Sequence, residues 1–273
     1  MSLGIAFKGP EGIVLAADSR VTLTAELQQG EQKMLLPSMF DNATKLLQIT
    51  CQPFVGVVTY GLGAIGQVQQ RTAHSFLPEF EDELKDCIRL SVKDFAGMLS
   101  AFFLKQWKTT MPEQWSGPEM TFLIGGYDDG APYGRVFQVG IPLHPDPLEW
   151  NAEPGQFGIT WGGQLDYTNR LIKGYDPNLP SIVQKTLDLT DEQKQKLEHQ
   201  LEGMLSAHIP YQFLPLQDCV DLSVFLIRTT IELQTWIVGV RGVGGAIDVA
   251  TITRTEGFKP VQVKTIVGHG RRV

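Results

Sequence analysis

Cysteine is scarce in this chain. Cys51, Cys87 and Cys219 are the three among 273 residues. They form no C-x-x-C pair, which excludes the common zinc and dithiol redox motifs, and an odd count fits reduced thiols. All three are expected in the core, where free cysteine behaves as a small hydrophobe. Basic runs are also lacking. None is longer than Arg271-Arg272, and the net charge is -7, which argues against a nucleic-acid-binding face. No apolar run reaches the length of a membrane span. The opening stretch from Gly4 to Ala17 is interrupted by Lys8, Gly9, Pro10 and Glu11, so it has no signal-peptide core. No internal repeat recurs at a fixed period. A cytoplasmic globular protein without nucleic-acid or membrane partners is expected.

What is present reads as alternating blocks of strand and helix. Leu3 to Phe7 and Ile13 to Ala17 are apolar around the turn Lys8-Gly9-Pro10-Glu11-Gly12, a hairpin pattern. Residues 23 to 42 are polar and read as an irregular loop. Strands are expected over 45–50 and 54–60, then helices over 64–76 and 92–107, the second with Ser91 as N-cap. Strands return at 121–127, 135–139 and 157–161, followed by a short helix over 165–173. Residues 176–218, with four prolines around one helix that starts on the Thr190/Gln193 capping-box pattern, read as an insertion. Residues 220–238 read as helix, and 246–253 and 261–266 as closing strands. Segregated runs of this kind argue for an α+β layered domain. The whole chain, 1–273, is expected to be one domain carrying that insertion.

The chain start poses the chemical question. Asp18 ends an apolar strand one hairpin away from Ser2. With Met1 removed, Ser2 would carry a hydroxyl and an α-amine on one residue. A serine hydroxyl is a weak nucleophile until a base takes its proton, and an α-amine with a pKa near 8 can do so.

The segments Ile5-Ala6-Phe7-Lys8 and Gly12-Ile13-Val14-Leu15-Ala16-Ala17-Asp18-Ser19-Arg20-Val21-Thr22 resemble the opening of proteasome β-type subunits, bacterial homologues above all. The register of that likeness puts Ser2 at the family's nucleophile and Asp18 at its aspartate. Lys45, opening Lys45-Leu46-Leu47-Gln48-Ile49, corresponds to the family's lysine across an insertion of about ten residues; Lys33, inside the 23–42 loop, is the rival. Val57-Val58-Thr59-Tyr60-Gly61-Leu62-Gly63 resembles the strand whose glycine N–H supports the oxyanion, which makes Gly61 the candidate donor. The same likeness implies that Thr22 pairs with an extended substrate and that Thr59 lines the pocket. Phe122 to Tyr133 and Gly244 to Val249 extend it over most of the chain.

Gly61-x-Gly63-x-x-Gly66 also spells a dinucleotide fingerprint. A Rossmann unit would need a parallel strand after the helix, whereas a second helix is expected here, so no dinucleotide is inferred. No metal or organic cofactor is expected.

Two family features are missing. Trp161-Gly162-Gly163 stands where the family has a serine turn, and Val240-Arg241-Gly242-Val243-Gly244 holds neither its aspartate nor its serine. The resemblance implies a four-layer αββα sandwich, a peptide or amide substrate, and self-assembly into rings or stacked oligomers. A non-catalytic assembly subunit is the alternative.

Overall fold

Period-two alternation along the first strand sets the architecture. In the computed structural model, which describes residues 2–29, 32–67 and 69–266 (the side chains of 24–37 excepted), Leu3, Ile5 and Phe7 face one core and Ala6 faces another. β1 (Leu3–Lys8) pairs antiparallel with β2 (Ile13–Asp18), as the hairpin pattern anticipates. β10 (Gly158–Gly163) flanks β1 on the other side. β11 (Ile247–Thr253) and β12 (Gly257–Gln262) extend the sheet beyond β2, giving the order β10-β1-β2-β11-β12.

A second antiparallel sheet runs β5 (Leu46–Gln48), β6 (Val55–Gly61), β7 (Met120–Gly126), β8 (Arg135–Ile141) and β9 (His144–Trp150). A separate hairpin joins β3 (Val21–Gln29) to β4 (Gln32–Phe40). Six α-helices are present among the described residues: α1 (Leu77–Leu84), α2 (Val92–Thr110), α3 (Asp166–Ile172), α4 (Leu179–Leu187), α5 (Asp191–Leu205) and α6 (Leu216–Trp236).

Three hydrophobic clusters organise these elements. One joins α1 and α2 to the second sheet through Phe80, Phe95, Phe102, Phe103, Phe122 and Phe137. One joins the first sheet to α3 and α6 through Leu3, Ile5, Phe7, Ile172, Leu226 and Ile227. The third lies where the sheets face each other, with Ile13, Leu15, Val58, Leu123, Val136 and Ile252 fully buried. The mixed helix–sheet class agrees with the sequence expectation.

Several elements differ from it. The 23–42 region is a hairpin of two nine-residue strands rather than a loop; the alternation Thr22-Leu23-Thr24-Ala25-Glu26-Leu27 carries the signal, hidden by polar composition. Of the helix expected over 64–76, only a 3-10 turn at Ala73–Phe76 forms among the described residues. Ile65 bridges Arg71 there, and Gly66 sits at φ +113 in a conformation that breaks a helix. The α-helix proper begins at Leu77, with a proline at its start. β9 went unread because Pro145 and Pro147 argue against a strand, yet prolines are tolerated on a sheet edge, where β9 lies. The 176–218 segment holds two helices, not one, before α6 begins. The last strand comes earlier than 261–266, at Gly257–Gln262. Cysteine also needs correcting: Cys219 is buried, but Cys51 is exposed in the β5–β6 turn and Cys87 is half-buried.

Candidate active site at the chain start

Asp18 is the anchor of the site. It ends β2 with its carboxylate fully buried. Its Oδ1 accepts from the Leu3 amide at 3.0 Å and from Lys45 Nζ at 2.7 Å. Its Oδ2 accepts from the Arg20 amide at 3.1 Å and the Gly244 amide at 3.0 Å. Three backbone N–H groups and one ammonium thus compensate a buried charge that would otherwise be very costly. The donors come from β1, the β2–β3 junction, the loop before β11, and the start of β5. A single carboxylate therefore ties four segments together.

Lys45 sits one residue ahead of β5 and is 5% exposed. Its carbonyl accepts from Thr59 N at 3.0 Å, which docks it on β6. Burial pulls its ammonium below the ordinary lysine value; Asp18 opposes that shift, while Lys264 and Arg20 add to it. Lysine in such surroundings gives up its proton more readily than one on the surface. Lys45 is the lysine that reaches Asp18. The rival Lys33 lies on β4, where its side chain is outside the described residues.

Ser2 precedes β1 and is 4% exposed. Its carbonyl accepts from Gln164 N at 2.8 Å. It lines a cavity of ≈ 20 Å³ together with Lys45, Thr59, Tyr60, Leu62 and Gly63. That is room for about one water. Met1, whose removal the sequence reading requires, lies outside the described residues. An adjoining groove of ≈ 340 Å³ shares Leu62 and Gly63 with the cavity and adds Thr22, Leu23, Met111 and Trp115. The hydroxyls of Thr22 and Thr59 are buried without a hydrogen-bond partner among the described residues.

Ser2, Asp18, Lys45 and Thr59 are thus brought together, and Thr22 stands at the neighbouring groove. Gly61 is placed differently. It ends β6 in register with Met120 and is not among the residues lining the Ser2 cavity; Leu62 and Gly63 are.

Sequence reasoning passed over Tyr60, which lines the cavity. Burial, assisted by the charge of Glu119, pushes its phenol up to about 12. The signal was there in two glycines. Gly4 and Gly162 pair across β1 and β10, and a side chain on either would strike the Tyr60 ring. Crowding also leaves this turn no room for a hydroxyl-bearing side chain. A Cβ at Gly162 would lie 2.0 Å from Tyr60 Cζ, and one at Gly163 would lie 1.9 Å from the Ser2 carbonyl oxygen. No group of three or more His, Cys, Asp or Glu is arranged to hold a metal among the described residues, and no helix there is long and apolar enough to cross a membrane.

No family model matches the chain, and neither does any curated protein sequence. Among solved structures it is similar to a Gly-1 mutant of Anbu from Hyphomicrobium sp. strain MC1. That likeness has a TM-score of 0.52 at 14% identity and covers 96% of this chain and 86% of the other. It is a likeness of fold.

Proposed function

We propose that this chain is an N-terminal nucleophile hydrolase of peptide or amide bonds, with Ser2 as nucleophile once Met1 is removed. One observation carries the reading: a buried 2.7 Å Lys45–Asp18 ion pair, pinned by the Leu3 amide, directly beside Ser2. Strand geometry does not require a buried ion pair there, and such pairs are weak contributors to stability. Their concentration beside a hydroxyl is the pattern of a tuned reactive site.

In this reading the Ser2 α-amine takes the Oγ proton as Oγ bonds to the substrate carbonyl carbon. The tetrahedral intermediate collapses by breaking the C–N bond, and the leaving amine takes the proton. Water then hydrolyses the Ser2 ester in a second pass through the same groups. Lys45 favours the oxyanion form of Ser2, and Asp18 fixes Lys45. The Gly61 N–H, or those of Leu62 and Gly63 after it, would support the carbonyl oxygen; one such donor contributes about 3 kcal/mol in the transition state. Thr22 would pair with an extended substrate in the neighbouring groove, and Thr59 would line the pocket. The three hydrophobic clusters support a four-layer αββα arrangement of one domain, with 176–218 inserted, in a proteasome-like homo-oligomer.

The test is the mass of the purified chain together with labelling by a β-lactone or epoxyketone probe. The reading expects a chain lacking Met1 and one adduct on Ser2, abolished by Ser2→Ala. Retained Met1, or labelling that survives Ser2→Ala, overturns it. A second reading, a non-catalytic assembly subunit, is favoured by the ≈ 20 Å³ cavity, which admits no peptide without rearrangement. An intact Met1 with a defined oligomer would select it.

A further inference from the structure

β11 buries a charge of its own. Among its six buried residues, Ile247 to Ile252, Asp248 is the one that ionises. Asp248 pairs in register with Ala17 of β2, and Ile247 beside it pairs with Asp18, so the two buried carboxylates stand on neighbouring rungs. The partner of Asp248 comes from the segment after β12. Lys264 N donates to Asp248 Oδ1 at 2.8 Å, and Lys264 Nζ pairs with Asp248 Oδ2. Gln262 Nε2 donates to the Ile247 carbonyl at 2.7 Å. Residues 263–266 thus run along the start of β11 as a strap held by side chains. Packing does not account for it. Across 261–266 Lys264 is the residue that is not exposed, while Val261, Val263 and Ile266 face solvent. The strap turns its hydrophobes out and its lysine in. An aliphatic residue at 248 under Val263 would bury more apolar area, and a buried ion pair adds little stability over such an arrangement.

Hydrogen bonds lead from this pair to the Ser2 cavity. Ser19 Oγ donates to Asp248 Oδ2 at 3.4 Å. Ser19 is fully buried. Its N–H donates to the Gly244 carbonyl at 3.0 Å, and the Gly244 N–H in turn donates to Asp18. The Ser19 carbonyl accepts from Ala43 N at 2.9 Å. Ala43 lines the Ser2 cavity, two residues ahead of Lys45. Charge makes a second connection. Burial is the main cause that lowers the Lys45 ammonium, and Lys264 lowers it further as a like charge. The titratable groups facing Lys45 are Asp18 on β2, Arg20 after it, Asp41 after β4, Tyr60 on β6, Lys264 on the strap, and the Ser2 α-amine once it is free.

We propose that Lys264 is a positioning residue for the Ser2 site. Through Asp248 and Ser19 it fixes the Ala43–Lys45 wall of the cavity, and its charge keeps Lys45 ready to release a proton. This rests on the reading of Ser2 as the nucleophile, and it adds a group that the Ser2–Lys45–Asp18 set does not contain.

Lys264→Met keeps the stem and removes the charge. Combining it with Asp248→Asn removes the pair together and leaves no buried charge unmatched. Lys264, and not Asp248, is the member of the pair whose charge bears on Lys45. In both proteins the pH midpoint of Ser2 labelling by a β-lactone is therefore expected to move up by about half a unit, and labelling below it to slow about threefold. Lys264→Arg keeps the charge and is expected to keep the native midpoint. A readout independent of hydrolysis is the titration of Lys45 itself, followed by NMR on protein carrying isotope-labelled lysine and assigned with Lys45→Met. The same upward shift is expected there. A native labelling midpoint in the double variant overturns the proposal. So does a midpoint that moves as far in Lys264→Arg, and so does a lower melting temperature with no shift in either readout, which would mark the pair as structural. If the unaltered chain takes no label while the Lys45 titration shifts, the hydrolase reading fails and the coupling of Lys264 to Lys45 stands.

Discussion

The Asp18 corner and the α4–α5 hairpin are ordered by opposite means. Asp18 is buried and held by donors from four segments, the most distant 226 residues away. Helix α5 buries no residue at all. It is held by a complete capping box, in which Thr190 Oγ1 accepts from Gln193 N and the Gln193 side chain accepts from Thr190 N. Exposed ties such as Lys173–Glu202 add little. Helix α4 buries only Pro180 and leaves Ile182 and Leu187 exposed. The corner derives its order from long-range backbone geometry, the hairpin from signals within a few residues. A change in the first should reach the chemistry, while a change in the second should stay local.

The largest effect is expected at Asp18. Asp18→Ala leaves Lys45 buried without its partner and three amides without an acceptor. A loss of about 3–5 kcal/mol in denaturant unfolding is expected, along with complete loss of Ser2 labelling. Retained labelling in a stable Asp18→Ala protein would remove Asp18 from the site.

Lys45→Met preserves the stem but not the charge, and Asp18 keeps its three amides. It is expected to cost less stability than Asp18→Ala, yet to slow labelling at least about 100-fold. The pH dependence sharpens the point. Because the folded-state pKa of Lys45 is lowered, the unfolded chain binds more protons between that value and about 10.4. The contribution of Lys45 to stability therefore rises with pH across that window, its burial cost being fully present below it. Labelling should rise through the same window in the native protein and level off in Lys45→Met.

Tyr60 has the opposite sign. Its pKa is raised to about 12, so its contribution to stability is fully present below about pH 10 and lost as pH climbs toward about 12. Tyr60→Phe should flatten part of the alkaline loss, at most about 2–3 kcal/mol. Cys219, pushed up to about 12 by its own burial, should leave a residual slope. An identical alkaline limb in both proteins would mean that Tyr60 ionises as freely folded as unfolded.

The smallest effect belongs to the hairpin. Thr190→Ala removes one cap and should cost about 1 kcal/mol. Because α5 buries nothing, the loss should appear as faster hydrogen exchange in residues 191–205, with Ser2 labelling unchanged. A slowed labelling rate would show that the hairpin and the site are coupled.

The elements legible in the sequence were those specified nearby. The β1–β2 hairpin follows from alternation around a Gly-Pro turn. Helix α2 follows from its apolar face and from Ser91, which accepts from Asp94 N as a cap should. The α5 start follows from Thr190. The misread elements had their local signals overridden. Polar residues form the β3–β4 hairpin by pairing with each other, prolines sit in β9 because an edge tolerates them, and a left-handed glycine cancels the helix expected after Ile65. Lys45 reaches Asp18, as the family likeness implies, because β5 pairs with β6 and so delivers its first neighbour to the end of β2.

The sequence by itself determined the hairpins, caps and helices, and it picked out Ser2, Asp18 and Lys45 as residues of interest. Periodicity and capping act over a few residues and are readable one segment at a time. Only the tertiary structure decided that the Asp18 carboxylate would be satisfied by amides as distant as Gly244, and that Gly4 would face Val58 and Tyr60, and Gly162 the Tyr60 ring, with no room for a side chain. Those relations depend on which strands become neighbours. That choice is made by burying all three cores at once, and no local stretch of sequence contains it.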